Sequence, residues 1–279
     1  MNHLKEIGFM QGRLSPLTYG RIQSFPTYYW KEEMYLASRN NFHKMEWTVD
    51  TPTLVDNPIL TFNGAKTVSE KSQDLGIKIS SLTCDFFMEN PPWKKSQLSI
   101  KSLTNYINRI FQSAEFLGPL IIVLPILENS SLTKIDDFNI VIDTLEKARI
   151  DDFPISIAIE SDLNPSQLIK LIKNLPHDKY GINLDTGNSA AFGFDPTMEL
   201  ETISSRILNV HLKDREFGGG SVRFGMGSTK LREYIVGLKN IGYTKNLILQ
   251  SFRSTTNSHL DELRYSRDYV LNFLREDAA

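Results

Sequence analysis

Short apolar runs alternate along the chain with longer amphipathic stretches. Eight runs have the length of β-strands, and most are continuously rich in Ile, Leu and Val: EIGFMQ, HKMEW, IKISSLTC, LIIVLP, ISIAIES, YGINLD, ILNVHL and NLILQS. Continuous apolarity is typical of strands that are covered on both faces, as in a parallel sheet. The pattern therefore predicts eight parallel strands.

The stretches between these runs carry helical periodicity and helix-terminus signals. Asn164-Pro165 and Asp195-Pro196 each place a capping side chain before a proline, and this combination starts helices. The final stretch, 260–274, is amphipathic. Two further stretches repeat apolar residues at helical spacing and end before Gly118 or Gly242; their apolar positions are Leu98, Leu103, Ile107, Ile110, Ala114 and Leu117, and Leu231, Tyr234, Ile235 and Leu238.

Eight strand–helix pairs without a long linker or a low-complexity segment predict an α/β fold, a (β/α)8 TIM barrel that occupies residues 1–279 as a single domain. A doubly wound open sheet is the structural alternative. Such a sheet usually shows a glycine-rich turn after its first strand, and GFMQGR does not match that fingerprint. The closed barrel is therefore the favoured architecture.

Charge and cysteine content narrow the classes of partner. The chain has 31 basic and 33 acidic residues, a net charge of −2, and no block of like charges. This balance argues against nucleic acid and membrane surfaces and is compatible with a small-molecule ligand. Cys84 is the single cysteine, so no intramolecular disulfide can form, and we interpret it as a buried apolar residue. With no apolar stretch of leader or membrane-spanning length, we expect a cytoplasmic protein, and assembly into a homo-oligomer stays open.

Polar residues follow each predicted strand, at the barrel end where such folds carry their chemistry. They are Gln11, Arg13, Glu46, Thr83, Asp85, Glu128, Glu160, Asp185, Asn188, His211, Lys213, Asp214, Gln250 and Arg253. Among them, Glu160, Asp185 and His211 each end an apolar strand core, where an unpaired charge is costly. Two carboxylates and an imidazole suit Mn²⁺, Mg²⁺, Co²⁺ or Zn²⁺. Spacing alone also allows three unconnected residues that bond to loops.

The same segments resemble a known family. IAIESDL, INLDTGN, NVHLKDR and FGMGS, together with the opening GFMQGRLSP and the KMEW strand, resemble the sugar phosphate isomerases/epimerases of the xylose isomerase-like TIM barrels. The resemblance runs through nearly the whole chain and implies that Glu160, Asp185 and His211 bind a divalent metal ion. It implies a sugar or sugar phosphate as the substrate.

The resemblance also implies roles around the metal. Glu160 is expected to be the general base that abstracts a proton, and Lys213, in the HxKD segment, to stabilise the resulting enediolate, unless it forms a salt bridge with Asp185 or Asp214. Substrate binding is expected of Glu46, Trp47, Asn188 and Arg253. Glu46 can instead support the metal ligands from behind, or bridge two loops, without contacting the substrate.

The chain departs from the family at the eighth strand. The family places a glutamate there as fourth ligand, whereas LILQSFR has Gln250. An amide oxygen can coordinate a hard cation, but it brings no charge and accepts no proton near neutral pH. This change favours one-base isomerisation over two-base epimerisation, unless Glu46, Asp85, Glu128 or Asp214 supplies a second group.

The sequence thus predicts a metal-dependent isomerase or epimerase that works through proton abstraction and a metal-stabilised enediolate. A related lyase or dehydratase, or a non-catalytic sugar-binding barrel that lost its fourth ligand, are the alternatives. An additional expectation concerns the glycines 218–220, between Arg215 and Arg223. They either present backbone N–H groups to a phosphate or form a flexible lid tip.

Overall fold

Eight parallel strands close into a barrel in the computed structural model, which describes residues 7–118, 120–254, 256 and 258–276. The order around the barrel is β1-β10-β7-β6-β5-β4-β3-β2, and β8 and β9 form a separate two-stranded hairpin. The strands are β1 Ile7–Met10, β2 Lys44–Thr48, β3 Lys78–Thr83, β4 Leu120–Ile126, β5 Ile155–Ser161, β6 Tyr180–Asp185, β7 Ile207–Leu212, β8 Asp214–Arg215, β9 Ser221–Val222 and β10 Asn246–Leu249.

Helices cover the outside of the barrel. They are α1 Trp30–Arg39, α2 Phe62–Leu75, α3 Asp85–Glu89, α4 Ile100–Leu117, α5 Ile135–Lys147, α6 Pro165–Ile172, α7 Thr186–Phe192, α8 Pro196–Ile203, α9 Leu231–Asn240 and α10 His259–Glu276. The predicted TIM barrel is confirmed, and each of the eight apolar runs coincides with one barrel strand to within two residues at its ends. The barrel strands are almost wholly buried because helices cover their outer face and the other strands face them inside.

The predicted helix starts are also confirmed, with the expected capping chemistry. The Asn164 side chain accepts a hydrogen bond from the Gln167 backbone at 2.9 Å, and Gln167 reaches back to the Asn164 N–H at 3.4 Å. The Asp195 carboxylate accepts from the backbone of Thr197 and Met198 at the start of α8. These caps satisfy N–H groups that have no partner within the helix.

Two short helices and the hairpin were not predicted from the sequence pattern. α3 and α7 each begin at the end of a barrel strand, too short for a helical period to show. The hairpin β8–β9 is made of two-residue strands in the segment that the sequence predicted only as a loop. α7 matters for the site because its capping residue is Asp185, which accepts from the Asn188 N–H at 2.8 Å.

Strand register places the polar strand ends side by side. Asp185 lies opposite His211 in the β6–β7 pair, and Glu160 lies opposite Pro125 in the β4–β5 pair. All three side chains therefore emerge at the same end of the barrel. None of the helices in the described part of the chain combines the length and apolarity that a membrane span requires.

Candidate functional site

Glu160, Asp185 and His211 converge at the carboxyl ends of three adjacent strands. One potential ligand atom from each lies within 4.8 Å of the other two, and all three residues are buried. The Nδ1 atom of His211 is 3.3 Å from Glu160 Oε2 and 3.9 Å from Asp185 Oδ2. The spacing in the sequence also allowed three unconnected residues, and the structure instead brings them together in one cluster.

Glu46 fixes the orientation of the imidazole. The Nε2–H of His211 donates to Glu46 Oε1 at 2.7 Å, and this turns Nδ1 toward the two carboxylates. Burial lowers the pKa of His211, but the charge of Glu46 and the hydrogen bonds to Glu160 and Glu46 outweigh it and hold this pKa well above its ordinary value. A carboxylate behind a metal-binding histidine is a common device for setting ring orientation and basicity.

Two buried asparagines, Asn183 and Asn209, form an amide layer beneath the cluster. The Nδ2 group of Asn183 donates to Glu160 Oε2 at 2.7 Å. The Nδ2 group of Asn209 donates to Glu46 Oε2 at 2.9 Å and to Asn183 Oδ1 at 2.8 Å. Neither residue was predicted from the sequence. Their signal is that each precedes a cluster residue by two positions, which puts it on the same face of its strand.

The donor set fits a divalent cation. Asp185 uses Oδ1 as the cap of α7, while its buried Oδ2 has no hydrogen-bond partner within the described chain. The buried Gln250 Oε1 likewise has none among those residues. Two carboxylates, an imidazole nitrogen and a neutral amide oxygen are ligands that Mn²⁺, Zn²⁺ and related ions accept.

A cavity of about 410 Å³ opens above the cluster. Glu160 and His211 line it, together with three residues predicted from the sequence, Asn188, Lys213 and Gln250. Its walls also carry Arg13, Arg21, Ile22, Gln23, Thr83, Asp85, Glu89, Glu128, Arg215 and Ser221. Most of the lining residues are polar, while Ile22, Met88, Pro125 and Leu127 add apolar surface. The volume is within the range of small-molecule sites, about 300–1,000 Å³.

Lys213 and Asn188 are held in place by their neighbours. The Thr186 hydroxyl donates to the Lys213 carbonyl at 2.9 Å and accepts from its N–H at 3.1 Å, and Lys213 Nζ lies 3.7 Å from Asp185 Oδ2. Asn188 Nδ2 donates to Glu160 Oε1 at 2.7 Å. Its Oδ1 accepts from Arg215 at 2.7 Å, so the hairpin orients the amide that contacts Glu160.

Gln250 belongs to a chain of side chains that crosses the cavity wall. Its Nε2 donates to Gln23 Oε1 at 2.7 Å, and Gln23 Nε2 donates to Asp85 Oδ2 at 2.6 Å. Arg13 also donates to Gln23 Oε1, at 3.2 Å. Gln23 was missed because it lies in the long β1–α1 loop, away from any strand end.

Three residues predicted to bind substrate lie away from the cavity lining. Trp47 is fully buried, donates to Asn57 at 3.0 Å and packs against Phe25. Glu46 lies below the cluster, where it accepts from His211. This position matches the alternative that the sequence left open, in which Glu46 supports the metal ligands from behind. Arg253 uses its guanidinium on the backbone carbonyls of Gly12 and Ser15.

In the glycine run at 218–220, for which the sequence left a phosphate cradle and a lid tip as alternatives, two N–H groups are bonded within the chain. The Gly218 N–H donates to Ala191 O at 3.2 Å, and the Gly219 N–H donates to Glu216 O at 2.9 Å. Arg223 points elsewhere, pairing with Glu262 at 3.3 Å. These glycines form the tip of the β8–β9 hairpin, and Arg215 binds the Gly219 carbonyl at 2.6 Å.

A closed (β/α)8 barrel with a Glu–Asp–His cluster at its carboxyl end defines a class, the barrels that resemble xylose isomerase. The match to the family model is direct: the model described as "Xylose isomerase-like TIM barrel" matches residues 34–273. The chain belongs to this family. A search of curated proteins finds no match.

Solved structures support the same fold along the whole chain. A D-allulose 3-epimerase from Methylomonas sp., in complex with D-allulose, has a TM-score of 0.72 at 11% identity, covering 96% of each chain. An IolI protein with a zinc atom has 0.71 at 15%, covering 97% of this chain and 98% of its own. A sugar phosphate isomerase/epimerase from Parabacteroides distasonis has 0.65 at 14%, covering 95% of each.

Proposed function

We propose that the protein is a metal-dependent isomerase or epimerase of a sugar or sugar phosphate. The observation that carries this proposal is the Glu160–Asp185–His211 cluster at the floor of a polar cavity. Membership of the xylose isomerase-like family and likeness to barrels described as sugar epimerases and isomerases support it. The IolI barrel solved with a zinc atom supports a metal in a barrel of this kind.

Glu160, Asp185, His211 and the amide oxygen of Gln250 would hold the ion. When bound, a divalent cation supplies positive charge that stabilises the negative charge a carbonyl compound develops as it loses an α-proton. The protein's contribution is a preorganised arrangement: Glu46 sets the imidazole, and the α7 N-terminus sets one oxygen of Asp185.

Glu160 is the group that takes the proton. It lines the cavity, and amide groups from Asn183 and Asn188 donate to its two oxygens, which fixes the carboxylate plane. As the C–H bond breaks, its electron pair moves onto the carbonyl oxygen, and the Lys213 ammonium on the cavity wall counters part of that charge. The same carboxyl can return the proton to the neighbouring carbon, and this completes an aldose–ketose isomerisation.

The cavity suits a polyhydroxylated ligand of one or two charges. Its lining offers amides, hydroxyls and both signs of charge, with Arg13, Arg21, Lys213 and Arg215 as cations. These cations allow a phosphorylated substrate, and the amides and carboxylates allow a free sugar.

The test is a substrate screen of the purified protein, first stripped with a chelator and then reloaded with Mn²⁺, Co²⁺, Zn²⁺ or Mg²⁺. Ketoses, aldoses and their phosphates are incubated in D₂O, and NMR follows deuterium at the carbon next to the carbonyl. We expect metal-dependent exchange with at least one sugar. Elimination of water would identify a dehydratase, and metal binding without any exchange would identify a non-catalytic barrel.

A further inference from the structure

Inverting a carbon centre next to a carbonyl needs two proton-transfer groups, one on each face of the substrate. Glu160 supplies one. Gln250 cannot supply the other, because an amide does not exchange protons as an acid or base near neutral pH. A second group must therefore come from the other acidic side chains that line the cavity, Asp85, Glu89 and Glu128.

Most acidic residues at this end of the barrel are already engaged. Glu89 pairs with Arg21 at 2.5 Å and accepts from the Thr51 N–H at 2.8 Å. Asp214 holds the turn after the hairpin, accepting from the N–H groups of Gly225 and Gly227. Glu46 is committed to His211 and the amide layer. Glu128 is exposed to solvent on a turn after β4 and is not among the buried residues of the cavity wall.

Asp85 differs from all of these. It is buried against the cavity wall and accepts from two neutral donors, Thr83 at 2.9 Å and Gln23 at 2.6 Å. No cation pairs with it at salt-bridge distance within the described residues. Burial raises the pKa of Asp85 to about 7, although the hydrogen bonds from Gln23 and Thr83 oppose that shift. A carboxyl group of this kind exchanges protons readily at neutral pH.

The surrounding amides fix the direction of this carboxyl group. The oxygen of Gln23 accepts from both Arg13 and Gln250, so its NH₂ group must face Asp85. One carboxamide therefore links Asp85 to Gln250. Asp85 itself follows β3, which β4 separates from the β5–β7 strands that carry the cluster. A carboxylate has about four lone-pair positions, and two donors leave the others for a substrate proton.

We propose that Asp85 is a catalytic residue, the second proton-transfer group of an epimerase in which Glu160 is the first. The proposal rests on the proposed function. Glu160 removes the α-proton from one face, and the electron pair of the C–H bond moves onto the carbonyl oxygen. The protonated Asp85 then forms the new C–H bond on the other face as the carbonyl re-forms. Glu160 ends protonated and Asp85 ionised, and solvent restores both.

The experiment compares exchange from the two members of an epimer pair. Wild type, Asp85→Asn and Glu128→Gln, each loaded with Mn²⁺, are incubated in D₂O with D-allulose or with its C3 epimer D-fructose. NMR follows deuterium at C3. The wild type should exchange from both sugars. Asp85→Asn should keep exchange from one sugar within about threefold and lose it from the other by about 100-fold or more. Glu128→Gln should keep both.

Each of the other possible results contradicts either the role of Asp85 or the proposed function. Exchange from both sugars in Asp85→Asn, or an equal loss from both in a variant whose metal content and thermal unfolding match wild type, removes Asp85 from the proton transfer. Should Asp85→Asn misfold, Asp85→Ser is measured in its place with the same criterion. Loss from one sugar only in Glu128→Gln assigns the second group to Glu128. A wild type that exchanges neither these sugars nor any in the wider screen overturns the proposed function itself.

Discussion

The two sides of the cavity are built from opposite kinds of side chain. The β5–β7 side brings Glu160 and Asp185 against His211, and the buried Oδ2 of Asp185 has no hydrogen-bond partner among the described residues. On the β1–β10 side, Arg13 lines the cavity, while Arg253 and Glu33 lie close to it outside the lining. The Glu33 carboxylate accepts from the N–H groups of Gly12 and Leu14. Burial and the charge of Arg253 lower the pKa of Arg13 to about 9.

The difference shows how one barrel end separates a cation site from the rest of its cavity. A divalent ion is attracted by the acidic side and repelled by the buried arginines of the other side. Gln250 lies between the two and presents a buried amide oxygen that carries no charge. The β5–β7 side is thus suited to a metal ion, and the β1–β10 side to the electron-rich atoms of a ligand.

The largest effect is expected from removing His211, the only nitrogen among the proposed metal ligands. His211→Ala should abolish bound metal, measured by elemental analysis. It should also lower the free energy of unfolding by about 3–5 kcal/mol, because Glu46 would be buried without its partner. His177→Ala, at an exposed position, is the matched control. Full metal content in folded His211→Ala would place the ion elsewhere.

The arginine side should control how stability depends on pH. Burial raises the pKa of Glu33 from 4.5 to about 7. Between these values the folded protein keeps a proton that the unfolded chain has released, so stability is highest below pH 4.5 and decreases as the pH rises to 7. Glu33→Gln should remove about 2–3 kcal/mol of that decrease in denaturant titrations.

Asp85 contributes a slope of the same sign, so the Glu33→Gln variant should flatten the profile without levelling it. Glu32→Gln, one residue away on the exposed face of α1, should leave the profile unchanged. A profile of wild-type slope in Glu33→Gln would mean that Glu33 is ionised at all these pH values, stabilised by the arginines.

A smaller effect is expected from the support behind the metal. Glu46→Gln keeps a hydrogen-bond acceptor for His211 but removes the charge, and metal affinity should fall by about 10–100-fold. Competition with a chromophoric chelator measures it. An unchanged affinity would show that the Glu46 charge does not reach the ion.

The smallest change concerns the residue between the two sides. Gln250→Glu adds a negative charge facing the cavity, and metal should bind about tenfold tighter in the same chelator assay. Gln112→Glu adds the same charge on the outer face of α4 and should have no effect. Equal affinities for Gln250→Glu and wild type would show that the eighth barrel strand does not contact the ion.

The fold was predictable because buried parallel strands leave a strong signal. Each apolar run became a strand, and the convergence of Glu160, Asp185 and His211 follows from parallel strands ending at one edge. The family resemblance supplied the expectation that these three residues bind a metal ion. Contacts that depend on loops were less accessible: nothing local shows that Gln23 reaches Asp85, 62 positions further along the chain.

Side-chain direction was the other limit. Trp47 and Glu46 are adjacent on β2, and the alternation of side chains along a strand puts them on opposite faces. Both were nevertheless predicted to bind substrate. The structure turns Glu46 into the barrel and Trp47 outward against α1. Arg253 and the glycines 218–220 bond instead to other backbone groups. The positions of those groups cannot be read from the sequence.

The contact between His211 and Glu46 has a consequence for how the protein is assembled. The two residues are 165 positions apart, on strands contributed by opposite ends of the chain. Contacts of such separation form late, after the loop-closure entropy between them has been overcome. The amide layer is subject to the same delay, since Asn209 must also reach Glu46. A ribosome-bound chain that ends before β7 lacks His211 altogether, so the proposed metal site is complete only after β7 has been synthesised and has joined the barrel.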